Sequence, residues 1–103
     1  MAITENEVAF ATLQICAAQP NGVASFRRLK REIPDIVTLT AADLRMSVTR
    51  PNEPMWHQKI RNIRSHHDAE GNYINSGYLE SVPKVGYRIT DGGRKRLKAK
   101  GPA

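Results

Sequence analysis

The residues best equipped for recognition chemistry lie in one short stretch. Gln58, Arg61, Asn62 and Ser65 recur at intervals of three and four, so on a helix they share one face. Arg can bond a guanine edge with two parallel N–H donors, and Gln or Asn can do the same for adenine. Ser65 suits either a base or a phosphate. His57 and Arg64 fall on one flank of this face, Lys59 and His66 on the other, where the phosphates of a bound duplex would run. The opposite arc holds Trp56, Ile60, Ile63 and His67, the expected core side, with Trp56 the largest anchor and His67 at the core edge. Every surface helix is polar opposite its core, so these side-chain types do not by themselves separate a reading face from a solvated one. The elements around the helix must decide.

Those elements follow from the pattern along the chain. A first helix is predicted over 5–19, with Glu5 and Glu7 where the helix dipole favours anions and Pro20-Asn21-Gly22 as its stop. Val23-Ala24 suggests a very short strand. Ser25 then caps a second helix, 26–33, ended by Pro34, because the residue before a proline is pushed out of the α region. Thr40 caps a short helix, 41–48, and the two prolines and asparagine of 50–54 mark a loop. The strongest helix follows over 55–68. After Gly71 the period turns strand-like, giving strands at 78–82 and 87–90 joined by a tight turn at 83–86. Asp91 is the expected cap of a last helix, 92–98, with residues 99–103 a disordered basic tail.

This order predicts an α+β, mainly helical fold: a winged helix-turn-helix with three main helices, one short helix, a two- or three-stranded antiparallel wing and a C-terminal helix. A lone hairpin is marginal in water, so Leu79, Ile89 and Leu97 are expected to fasten it to the helices. Lys84 at the turn and Arg88 on the returning strand then give the wing a basic edge for phosphate or the minor groove. Tyr78 and Tyr87 either face each other across the strands or leave the Tyr87 hydroxyl for a DNA backbone.

Composition narrows the function classes. The 103 residues carry a formal net charge of +6, and they suit a single domain. The charge is uneven: residues 1–24 contain Glu5 and Glu7 and no Lys or Arg, while the rest holds all 16 basic residues. That asymmetry fits a polyanion-binding surface. No apolar run approaches the ~20 residues of a membrane span, and the polar N-terminus is unlike a secretory signal. A cytoplasmic location is therefore expected. The single cysteine, Cys16, has no internal partner and reads as a buried thiol. His57, His66 and His67 lack the spacing of a zinc site, and no nucleophile-base pair or glycine-rich phosphate loop is present, so neither a metal, a cofactor nor catalysis is expected.

Several segments together resemble a known family. Trp56 to His67, Gly71-Asn72, Gly77-Tyr78-Leu79-Glu80 and Gly86-Tyr87-Arg88-Ile89-Thr90-Asp91-Gly92-Gly93-Arg94 are similar to winged-helix domains that accompany restriction nucleases, the N-terminal domain of Mrr-type restriction proteins among them. The resemblance spans roughly 56–97 and implies double-stranded DNA binding in a bacterial or phage setting, in a regulatory or restriction-associated role. The nuclease domain of those proteins has no counterpart in this sequence, so the expectation is a stand-alone binder, a regulator, or a separately encoded or excised subunit, with a separately encoded nuclease or another protein as candidate partner. The alternative is a protein-interaction or dimerisation module. It predicts an exposed apolar patch on the first helix at Val8, Phe10 and Leu13, which would also serve a homodimer pairing two DNA half-sites.

Overall fold

A hydroxyl side chain opens almost every helix. In the computed structural model, which describes residues 2–50 and 52–99, Thr4 caps α1 (Glu5–Ala17) by accepting from the Glu7 N–H, while the Glu7 carboxylate accepts from the Thr4 N–H. Ser25 caps α2 (Phe26–Ile36), Thr40 caps α3 (Ala41–Leu44) and Thr90 caps α5 (Asp91–Leu97). Each satisfies an N–H that the helix cannot. The exception is α4 (His57–Ser65), which begins at Trp56 with no side-chain cap and is held by packing instead.

Three strands complete the fold: β1 (Val23–Ser25), β2 (Leu79–Val82) and β3 (Gly86–Ile89). They form one antiparallel sheet in the order β1-β3-β2, with Ala24 opposite Tyr87 on one side and Ser81 opposite Tyr87 on the other. The result is a mainly helical α+β fold, five helices and a three-stranded sheet among the described residues. Gly86 makes the β1–β3 approach possible, since a Cβ there would lie 2.0 Å from the Ala24 carbonyl oxygen.

One core joins all layers: Val8, Leu13 and Cys16 of α1, Leu29 and Ile33 of α2, Ile60 and Ile63 of α4, with Trp56, Tyr73, Leu79, Tyr87 and Ile89. Leu79 and Ile89 do fasten the hairpin, and Leu97 packs against the same cluster. Among the described residues no helix is long and apolar enough to cross a membrane.

Several boundaries differ from those read in the sequence. Helix α2 runs through Pro34 to Ile36. The proline sits in the last turn, where only one backbone bond is forfeited, and Ile33 before it is pinned in the core, which overrides its extended preference. The short helix stops at Leu44, because Met46 pairs with Pro54 and the chain doubles back as a narrow loop over 45–55. Helix α4 is shorter at both ends than 55–68. At its end, His66 N–H to Asn62 O and His67 N–H to Arg64 O tighten the chain into turns. His67 is consequently exposed and bonds the Arg64 carbonyl rather than edging the core.

The cap of the last helix is Thr90, not Asp91. Tyr78 and Tyr87 do not face each other: Tyr78 stands edge-on to Tyr73 and Tyr87 edge-on to Phe26. The apolar patch expected on the first helix is also absent, with Val8 and Leu13 fully buried and Phe10 half-covered beneath the Arg96 guanidinium, 5.3 Å from its ring centre. The basic tail expected at 99–103 lies, from residue 100 onward, outside the described residues.

Candidate nucleic-acid interface

Helix α4 owes its placement to bonds made from beneath. Ile60 and Ile63 are fully buried. Between them Tyr87 donates its hydroxyl to the Ile60 carbonyl at 2.6 Å and accepts from the Arg64 N–H at 3.2 Å. Burial pushes this phenol up to about 12. The Tyr87 hydroxyl is therefore committed to α4 and is not offered to a DNA backbone. Past the helix end, buried Asn72 donates to the Ile63 carbonyl at 2.9 Å and accepts from the Ile74 and Asn75 N–H groups, tying the following turn to α4. In the sequence Asn72 stands out only within the Gly71-Asn72 segment of the family resemblance; a buried asparagine serving three backbone groups leaves no periodic trace.

The outward face of α4 brings most of the expected residues together. Gln58, Arg61, Asn62, Arg64 and Ser65 line one concavity of about 380 Å³. Thr49 and Arg50 form its other wall. These two belong to the 45–55 loop, where the residue pattern predicts helix as far as 48 and a connection over 50–54. The loop is closed by Ser47 N–H to Glu53 O and Met55 N–H to Arg45 O, and Asn52 takes the left-handed conformation that Asn tolerates. The available signal was the asparagine between two prolines, which marks a reversal but not the direction in which it folds.

The flanks divide. Arg64 and Ser65 are exposed, and Arg64 and Arg50 make no ion pair among the described residues. Arg61 is ion-paired to Glu53, with side-chain exposures of 29% and 18%. Burial acts to raise the Glu53 carboxyl, but the Arg61 hydrogen bond and charge outweigh it, so its net shift is downward. His57 packs edge-on against Trp56, ring centres 4.5 Å apart. Burial and nearby Lys30 lower its pKa against the pull of Glu53, which favours the neutral ring and makes it a poorer phosphate partner than its position suggests. Lys59 lies on the other flank, beside buried Asp43 and Trp56 in a second concavity. His66 bonds the Glu5 carboxylate at 2.8 Å and is thereby turned toward α1.

The hairpin residues lie apart from this concavity. Lys84 is exposed at the β2–β3 turn with a positive φ of 65°. Arg88 is exposed across from Glu80, 3.9 Å away. Strand alternation sends Arg88 to the opposite face of the sheet from Tyr87, and so away from α4. The three histidines have separate local partners, and no group of three or more metal-ligating side chains occurs among the described residues.

The sequence matches no family model, and neither a curated protein nor a solved structure is similar to it at a significant level.

Proposed function

We propose that this chain binds double-stranded DNA as a winged-helix domain, with α4 as the helix that enters the major groove, in a regulatory or restriction-associated role. The observation that carries the reading is the outward face of α4: Gln58, Arg61, Asn62, Arg64 and Ser65 gathered around one polar concavity, with Arg50 opposite. These are side chains that pair with base edges and phosphates, and the helix presenting them is held rigidly from below by Tyr87 and Asn72. The element order supports the same reading, with a basic-tipped hairpin following that helix and a first strand completing its sheet. The test is a fluorescence-anisotropy titration of the whole chain on a random-sequence duplex at 50 and 200 mM salt. Binding that weakens steeply with salt is the expected outcome; binding that is absent or indifferent to salt overturns it.

A second reading, docking to another protein or self-association, is favoured by one feature. Leu44, Met46, Val48 and Met55 are exposed around the 45–55 loop, Val48 at 94%. Large apolar side chains left exposed along one short segment are a mark of interaction sites. Salt-insensitive self-association in sedimentation, without duplex binding, would select this reading over the first.

A further inference from the structure

Glu53 is an acid where a DNA-binding face should have none. It borders a concavity with Lys30, Arg50, Arg61 and Arg64, and a carboxylate there repels phosphate. Its side chain is not needed to close the loop, since that closure uses the Glu53 carbonyl and N–H together with the Met46–Pro54 bridge. The carboxylate instead bonds Nη1 of Arg61. A guanidinium carries five N–H donors in a planar fork, so one partner on Nη1 leaves donors for a second. An arginine left loose can settle on any phosphate, whereas one held by a fixed partner has its remaining donors aimed. Arg61 also lines the concavity shared by Gln58, Asn62 and Ser65.

Resting on the DNA-binding reading above, we propose that Glu53 is a positioning residue for base recognition: it fixes the Arg61 guanidinium so that its free donors meet a guanine edge, and it couples the 45–55 loop to the reading face of α4. Glu53 thus trades general affinity for selectivity. Its negative charge weakens attraction to every duplex, while its bond to Arg61 sharpens the choice at one base pair.

The experiment selects duplexes from a randomised pool with the full chain and measures base preference at each position. The wild type is expected to prefer guanine at one position, and Arg61→Ala to lose that preference. Glu53→Ala should lose it at the same position by about tenfold, in line with the worth of one bidentate contact, while binding random duplex as tightly as wild type or more so. Glu53→Gln retains a carbonyl acceptor for Nη1 and should keep part of the preference; it also reads the effect if Glu53→Ala melts at a lower temperature. The double variant should be no flatter than Arg61→Ala. An unchanged profile in Glu53→Ala and Glu53→Gln, flattening at a different position, or uniform flattening at all positions overturns the positioning role alone. A wild type that binds no duplex overturns the DNA-binding reading itself, and this role with it.

Discussion

Tyr87 concentrates several demands on one side chain. It is fully buried, stacks edge-on with Phe26 at 5.5 Å, and its hydroxyl bonds two backbone groups of α4. Removing that oxygen in Tyr87→Phe leaves the Ile60 carbonyl without this donor, so a loss of about 1–3 kcal/mol is expected in urea unfolding at pH 7. Desolvation holds the phenol at about 12, against ~10 in an unfolded chain. Below pH 10 both states keep the proton and the stabilisation is whole. Between about 10 and 12 the unfolded chain ionises first, so stability falls as pH rises. The deficit of Tyr87→Phe should therefore shrink by about 2 kcal/mol between pH 9 and pH 12. A deficit constant across that range would mean the hydroxyl is not desolvated as described. Cys16, held at about 11 by burial, adds its own loss from pH 9 upward, common to both proteins and absent from their difference.

At the scale of elements, the decisive contact is β1 against β3. Gly86 lies opposite Ser25, and an added Cβ would meet the Ala24 carbonyl oxygen at 2.0 Å, a backbone atom with nowhere to move. Gly86→Ala should separate the strands and lower the melting temperature by about 10 °C or more, from a loss of about 2–4 kcal/mol. A melting temperature within 2 °C of wild type would show that β1 is not tightly paired. The sequence showed the strand positions and the core faces because apolar residues repeat with the period of their element: Ile60 and Ile63, Leu79 and Ile89. It did not show that β1 joins β3, since a three-residue strand has too little pattern to name its partner. It misplaced the end of α2 because a local rule for Pro34 competes with burial of Ile33, and burial is the larger effect. The outward face of α4 was visible, Gln58, Arg61, Asn62 and Ser65 sharing an arc. Its second wall was not, because Thr49 and Arg50 come to that face through loop closure, and backbone hydrogen bonds in a loop carry no sequence period.

For the molecule as a whole, the uneven charge acquires a geometry. The acids of the first segment are engaged by local partners: Glu7 caps its own helix and Glu5 bonds His66 and Asn72. Arg50 and Arg64 beside α4 and Lys84 at the hairpin turn carry no ion pair among the described residues. On the DNA-binding reading these three cations, one on the loop, one on α4 and one at the hairpin turn, are phosphate contacts, and counterion release gives each contact a measurable signature. For every phosphate contact the slope of log K against log salt steepens by about 0.9. Lys84→Ala and Arg50→Ala should each flatten that slope by about 1 and weaken all duplex sequences alike, and the double variant should flatten it by about 2, because the two contacts are independent. Alanine at position 84 meets the same left-handed strain as lysine, so the hairpin keeps its turn and the change reads charge alone. A slope unmoved by Lys84→Ala but flattened by Arg50→Ala would confine DNA contact to α4 and its loop, leaving the hairpin a structural support. The reverse would place the 45–55 loop off the duplex while keeping the wing on it.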